Sequence, residues 1–158
     1  MQISKDGLNL IKEFEGCRLD AYQDSGGVWS IGFGHTHGVC DGMSISQQQA
    51  DDFLAADLRA YEGYVEQYIT APISQHQFDA LVSFTYNLGP GTLYHSDVLH
   101  HFNEADYSAA ANAMLAYDHA DGQVIPGLLR RRKAERALFL TPDLARGFLA
   151  KFFRRMRE

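Results

Sequence analysis

Residues 15–35, EGCRLDAYQDSGGVWSIGFGH, mark the change from helix to strand on which the predicted fold depends. The segment before them is predicted to be a helix, because Leu8 and Ile11 repeat at helical spacing. Ser4 is a suitable N-cap and Gly16 is suited to end the helix. After that glycine, two extended runs joined by Asp-Ser-Gly-Gly predict a β-hairpin.

Glu15 is predicted to lie on the same helix face as Leu8 and Ile11, because it follows them by seven and four residues. A carboxylate on the core-facing side is partly desolvated, and at a helix C-terminus it meets the negative end of the dipole. Both effects favour the protonated form, so Glu15 is a candidate general acid. The alternative, a last-turn glutamate paired with an arginine, stays open at this point.

The second strand of the predicted hairpin places Trp29, Ile31 and Phe33 on one face. The other face carries small residues, including Ser30. We expect the large residues to pack and the small face to stay open to a ligand, with Asp24 and Ser30 beside it. An aspartate before Ser-Gly-Gly is also a common turn former, so Asp24 alone does not establish a site.

The combination of these residues resembles the phage-type lysozyme family, the endolysins of glycoside hydrolase family 24. Eight residues separate Glu15 from Asp24, five separate Asp24 from Ser30, and Gly-Phe-Gly-His ends at His35. The family signature is Glu, eight residues, Asp or Cys, five residues and Thr, with Gly-x-Gly-His behind. Ser30 departs from it by keeping the hydroxyl of the usual threonine without the methyl group.

The resemblance implies an α+β, mainly helical, lysozyme-like fold, in which a long helix joins a small β-hairpin lobe to a larger helical lobe. The pattern at residues 47–68 is the candidate for that helix, with Ser46 and Gln49 as a capping box. Ser74 and Gln77 form a second capping box before a largely buried helix. Further helical patterns cover residues 97–103, 107–117 and 124–140.

The activity that the resemblance implies is hydrolysis of the β-1,4 bond between N-acetylmuramic acid and N-acetylglucosamine in peptidoglycan. Glu15 would protonate the leaving oxygen, Asp24 would activate or position a water, and Ser30 would help to hold that water. An inverting reaction, which the resemblance also implies, needs the two carboxyl groups about 6.5 to 9.5 Å apart.

Four further residues are predicted to bind substrate. Tyr22, Phe33 and Asn87 are aromatic and amide groups suited to sugars, and Asn87 belongs to a family-like Phe-x-x-Asn-x-Gly segment. The stretch at residues 124–140 resembles the family's Gly-Leu-x-x-Arg-Arg-x-x-Glu motif. In the family an arginine of this helix approaches the catalytic glutamate, and by position that residue is Arg131.

Three other functions stay open. A lytic transglycosylase would cut the same bond with Glu15 alone and release an anhydro product. A non-catalytic wall- or membrane-binding module would keep the lobes without needing that carboxylate. A membrane-permeabilising protein would act through its C-terminal segment.

The sequence gives no sign of a membrane-spanning or a secreted protein. No apolar run approaches the roughly 20 residues of a membrane span, and the N-terminus lacks a signal-peptide pattern. We expect a monomer in the host cytoplasm, with Cys17 and Cys40 as free thiols. The resemblance implies that a pore-forming partner releases it to the wall.

No metal or other cofactor is expected. The histidines do not form a metal-binding pattern, neither at His35 and His37 nor at the pair at residues 100–101.

Charge divides the chain sharply. Residues 1–129 carry 4 basic and 17 acidic side chains, whereas residues 130–158 carry 10 basic and 3 acidic ones. We expect residues 1–140 to be the catalytic domain and residues 141–158 a basic amphipathic helix. Such a helix suits an anionic membrane or lipopolysaccharide, and packing on the helical lobe is the alternative. The candidate membrane-contacting residues of this helix are Arg146, Phe148, Lys151, Phe152, Arg154 and Arg155. A separate four-residue basic run at 130–133 is of a kind too common to indicate nucleic-acid binding.

Overall fold

The first helix, α1 (Lys5–Glu15), has the ends that its sequence predicts. Ser4 is the N-cap, and its Oγ accepts a hydrogen bond of 3.2 Å from the backbone N–H of Asp6. Gly16 ends the helix with φ of 67°, a left-handed conformation that favours glycine. The cap therefore fixes where the chain leaves the helix, immediately after the carboxylate of Glu15.

The computed structural model describes residues 1–143, and the predicted C-terminal helix lies almost wholly outside them. Within the described part, the other helices are α2 (Gln47–Tyr68), α3 (Gln75–Leu88), α4 (Pro90–Tyr94), α5 (Asp97–Asn103), α6 (Tyr107–Ala113) and α7 (Pro126–Phe139), with a 3-10 turn at Met114–Ala116. The strands form two antiparallel hairpins, β1 (Arg18–Gln23) with β2 (Trp29–Gly32) and β3 (His119–Ala120) with β4 (Gln123–Val124). Among these residues, no helix combines the length and the apolarity needed to cross a membrane.

The first hairpin forms as predicted, but the expectation of an open small-residue face is wrong. Ser30 is only 3% exposed, and a Cβ atom on Gly32 would lie 3.3 Å from the Cβ of Ala50. The small residues of β2 let the start of α2 approach the strand closely, so a helix covers the face where a ligand was expected. Ile31 and Phe33, on the large face, are buried as predicted.

The helices α2 and α3 begin at the predicted capping boxes. Ser46 and Gln49 exchange hydrogen bonds at the start of α2, and Ser74 and Gln77 do the same at the start of α3. Residues 78–85 of α3 are all buried, since this helix is surrounded by α1, α2, α4 and α7. The long helix α2 contacts β2 near its start and α3 and α4 further along, so it joins the small hairpin lobe to the helical lobe.

Three local elements add to the predicted helical patterns or differ from them. Gly89 ends α3, and Pro90 occupies the first turn of the short helix α4, because a proline needs no N–H partner there. Asp121 and Gly122 have φ of 50° and 76°, so the chain closes a second hairpin with a two-residue turn shortly before α7. The helix predicted at residues 107–117 instead ends at Ala113 and continues as the 3-10 turn.

Candidate active site

A cavity of about 430 Å³ lies where the first hairpin meets α1, α2 and α3. Its walls come from four chain segments that are far apart in sequence, so the tertiary fold assembles it. The lining residues are Glu15 of α1; Phe33, Gly34, His35, Thr36 and His37 after β2; Asp57 and Tyr61 of α2; and Tyr86 and Asn87 of α3.

Glu15 lines this cavity from the last turn of α1, and its side chain is 24% exposed. Its Oε1 accepts a hydrogen bond of 2.6 Å from Nη1 of Arg131, whose side chain is 4% exposed. The sequence left two interpretations of Glu15 open, a general acid and the partner of an arginine. The structure is compatible with both, because the carboxylate faces the cavity and pairs with Arg131. The prediction that Arg131 approaches Glu15 is confirmed.

A buried network orients Arg131. Its Nε donates to Oε1 of Glu135 at 3.1 Å, and its Nη2 donates to the carbonyl oxygen of Ser83 at 3.3 Å. Glu135 is fully buried and also accepts a hydrogen bond of 2.7 Å from the hydroxyl of Ser83. Burial raises the pKa of Glu135, while the two neighbouring guanidinium groups oppose that rise. Glu135 and Ser83 thus fix the guanidinium of Arg131 while its Nη1 contacts Glu15.

Arg132 links the same network to the cavity wall. It is fully buried, and its Nε lies 2.8 Å from Oε2 of Glu135. Its Nη2 donates to Oδ1 of Asn87 at 2.8 Å. Burial lowers the pKa of Arg132, and the attraction of Glu135 counters this effect. Asn87 therefore has its carbonyl oxygen fixed by Arg132 at the edge of the cavity.

A contact between His35 and Asp57 forms another part of the cavity wall. Nδ1 of His35 lies 2.8 Å and 3.0 Å from the two carboxylate oxygens of Asp57, and its ring stacks on Phe53 with centroids 4.4 Å apart. The Gly-Phe-Gly-His motif contains His35, but the sequence gives no sign of its partner. Asp57 lies on a helix with several acidic residues, and only its position after folding distinguishes it.

Two tyrosines of the cavity were also not predicted as site residues. The hydroxyl of Tyr86 donates a hydrogen bond of 3.1 Å to the carbonyl oxygen of Phe33. Burial raises the pKa of Tyr86 far above its ordinary value, and the negative charges of Glu15 and Asp57 add to the rise. Burial likewise raises the pKa of Tyr61. Both side chains therefore remain neutral hydroxyl groups at physiological pH.

The other predicted residues lie elsewhere. Asp24 is exposed in the turn of the first hairpin, where its Oδ1 accepts hydrogen bonds of 2.9 Å from the backbone N–H groups of Gly26 and Val28. Tyr22 is half-buried under the guanidinium of Arg18, which lies 4.3 Å from the ring centroid. These two residues and Ser30 are not among those that line the cavity. The structure thus brings together Glu15, Phe33, Asn87 and Arg131.

Comparison with known proteins agrees with this arrangement. The phage lysozyme family model matches residues 12–135. The chain is 41% identical over 143 residues to the endolysin of Acyrthosiphon pisum secondary endosymbiont phage 1, covering 88% of this chain and 98% of that one. It is 40% identical over 146 residues to the endolysin of Salmonella phage P22, covering 89% and 99%.

A solved structure with the same fold is the muramidase domain of SpmX from Asticaccaulis excentricus. The TM-score is 0.85 at 42% sequence identity, and the match covers 89% of this chain and 99% of that one. These similarities extend over the hairpin lobe, the long helix and the helical lobe. The chain therefore belongs to the phage lysozyme family and is a glycoside hydrolase of the lysozyme type.

Proposed function

We propose that this enzyme cleaves the β-1,4 bond between N-acetylmuramic acid and N-acetylglucosamine in bacterial peptidoglycan, with Glu15 as the general acid. The observation that carries the assignment is the position of Glu15 in the cavity with only one oxygen engaged. Arg131 holds Oε1 at 2.6 Å, and among residues 1–143 no hydrogen bond reaches Oε2. That oxygen is free to give its proton to the glycosidic oxygen.

The other cavity carboxylate is less suited to this role. Both oxygens of Asp57 lie within 3.0 Å of the His35 ring nitrogen. A carboxylate held in this way maintains the wall of the cavity and has no oxygen directed at a substrate. Asp57 therefore positions the loop after β2, and Glu15 remains the proton donor.

Asp24 is the proposed partner that orients the attacking water on the other face of the sugar. The backbone amides of the turn donate to its Oδ1, and no hydrogen bond within residues 1–143 engages its Oδ2. Ser30 supports this turn, because its hydroxyl donates at 3.3 Å to the carbonyl of Val28, which also accepts from the backbone N–H of Asp24 at 2.9 Å. Because Ser30 is only 3% exposed, its proposed part in holding the water is to support the turn that carries Asp24.

Sugar contacts are assigned to the cavity wall and the hairpin. Phe33 and Asn87 line the cavity, and Tyr22 presents a partly exposed ring on β1. The side chain of Arg131 is too deeply buried for direct contact with a sugar, so we assign it the positioning of Glu15. This replaces its predicted role as a substrate-binding residue.

Product analysis tests the reaction type. Purified peptidoglycan is digested in oxygen-labelled water, and the released muropeptides are examined by mass spectrometry. Hydrolysis gives reducing-end N-acetylmuramic acid that carries the label. A transglycosylase would give unlabelled anhydro products one water lighter, and that result would overturn the role of Asp24. Following the anomeric configuration by NMR further distinguishes inversion from retention.

The basic C-terminal segment is the proposed contact with an anionic membrane or lipopolysaccharide. Residues 144–158 contain five basic side chains and one acidic one, a composition suited to an anionic surface. We propose a monomer that is made in the host cytoplasm and reaches the wall through a pore-forming partner. Deleting residues 144–158 is expected to leave cleavage of purified peptidoglycan intact and to reduce killing of whole cells from outside. Equal killing by both forms would contradict the membrane role.

A further inference from the structure

Four tyrosines form a continuous row along α2 and α4, which we call the aromatic strip: Tyr61, Tyr64, Tyr68 and Tyr94. The ring centroids of Tyr61 and Tyr64 are 6.3 Å apart, and those of Tyr64 and Tyr68 are 6.1 Å apart. The row passes to α4, where Tyr94 lies 5.1 Å from Tyr68. The helical spacing of the first three keeps them on one side of α2.

The aromatic strip begins in the cavity. Tyr61 lines the cavity, and its ring lies 5.0 Å from that of Tyr86, another lining residue. At a rise of about 1.5 Å per residue, the distance along α2 from Tyr61 to Tyr68 is about 10 Å. The strip therefore continues the cavity surface by a length comparable to two sugar rings.

The outer members of the strip are unusually open for aromatic residues. Tyr94 is 58% exposed and Tyr64 is 37% exposed, whereas their neighbours Leu93 and Val65 are fully buried. Leu93 and Val65 therefore pack in the core, while the rings of Tyr64 and Tyr94 stay at the surface. A contiguous exposed aromatic surface of this kind is typical of a binding site.

The chemistry of the strip favours a neutral ligand with apolar faces. The last turn of α2 carries no basic residue, and the neighbouring Glu62 and Glu66 contact Ile3 and the N-terminal amine of Met1. The strip therefore offers an anionic polymer no cationic partner within the last turn of α2. A pyranose ring, by contrast, offers a face of polarised C–H groups to the negative face of an aromatic ring, and the phenol hydroxyl can bind sugar hydroxyl or N-acetyl groups.

We propose that the aromatic strip binds N-acetylhexosamine units of the glycan strand beyond those held in the cavity. The inference rests on the proposed function, because it takes the same glycan as the ligand. Tyr61 belongs to both surfaces, so a strand bound at Glu15 can run onto the strip without leaving the protein. The strip then lengthens the binding site and favours long strands over short fragments.

Binding measurements in the Glu15→Gln background test the proposal without relying on cleavage. The probes are soluble N-acetylglucosamine oligomers of increasing length, with the affinity of each measured by calorimetry. With Tyr64 and Tyr94 intact, affinity is expected to rise with oligomer length. In the Tyr64→Leu, Tyr94→Leu double variant, which keeps apolar bulk but lacks aromatic rings, affinity for the longest oligomer is expected to fall about tenfold.

Two further variants serve as controls for the loss of the aromatic rings. The Tyr64→Phe, Tyr94→Phe pair keeps both rings and is expected to restore most of the length dependence. Val124→Leu changes a side chain that is 50% exposed on the second hairpin and controls for altered surface apolarity. Equal length dependence in the double leucine variant and its parent would overturn the strip proposal while leaving the proposed function intact. Failure of the wild-type enzyme to cleave peptidoglycan would overturn the proposed function, and the binding data would still decide the strip.

Discussion

Nη1 of Arg131 lies 2.6 Å from Oε1 of Glu15, across a sequence separation of 116 residues. The contact joins the last turn of α1 to α7, so the proposed proton donor is in place only when both ends of the catalytic fold are assembled. Glu135 and Ser83 hold the far side of the same guanidinium. The geometry of the acid therefore depends on a buried network that does not itself contact the cavity solvent.

Arg131→Lys is expected to reduce kcat about 10- to 100-fold, because misplacement of a catalytic group by about 1 Å has an effect of that size. A lysine keeps the charge but cannot donate to Glu15, Glu135 and Ser83 at once, since it lacks the planar guanidinium. Steady-state kinetics on purified peptidoglycan measures the effect. The control is Arg130→Lys on the exposed face of α7. Equal rates for both variants would show that the network does not position the acid.

Glu135→Gln is expected to lower the free energy of unfolding by about 3–5 kcal/mol, as removal of one partner from a buried ion pair does. Arg131 and Arg132 would then share a buried site without their common carboxylate. Urea denaturation gives the value. Glu104→Gln is the matched control, because that side chain is 59% exposed and is expected to change stability little. A small effect at both positions would contradict the structural role of the network.

Asp57→Asn is expected to cost about 1.5–3 kcal/mol of stability, the usual contribution of a hydrogen bond to a charged group. His35 would keep its stacking on Phe53 but lose the charged partner that joins the loop after β2 to the long helix. Thermal unfolding measures the change. Asp52→Asn, an exposed position on the same helix, should have almost no effect. An equal loss from both variants would indicate a general charge effect on α2.

The Lys12–Asp51 ion pair predicts an acid-dependent contribution to stability. The amine of Lys12 lies 3.0 Å from Asp51, and its hydrogen bond lowers the pKa of that carboxyl below the ordinary 3.8. A carboxyl with a lowered folded-state pKa stabilises the fold above its unfolded-state pKa, and this contribution is lost as pH falls through the folded-state value. Wild type and Asp51→Asn should therefore differ slightly in stability at neutral pH and converge in strong acid. A difference that grows in acid would contradict this account.

The elements governed by nearby residues could be predicted from the sequence. Ser4, Ser46 and Ser74 give the starts of three helices, since a cap depends on residues within one turn. The position of Glu15 on the inner side of α1 follows from the same local periodicity.

Features that depend on distant partners could not be predicted in this way. The small face of β2 is buried because Ala50 packs on Gly32, and no pattern within the strand signals that contact. The pairing of His35 with Asp57, and the fixing of Asn87 by Arg132, likewise join separate helices and loops. The family motif identifies several of these residues, but only the assembled fold assigns their partners.

The most direct test of the account compares Glu15→Gln with Glu13→Gln in a turbidity assay on purified peptidoglycan. The two positions lie in the last turns of the same helix, but Glu13 is exposed whereas Glu15 lines the cavity. Glu15→Gln is expected to clear the suspension at least about 100-fold more slowly than wild type, the usual effect of losing a general acid. Glu13→Gln should match wild type. Clearing by a folded Glu15→Gln variant at the wild-type rate would contradict the central claim.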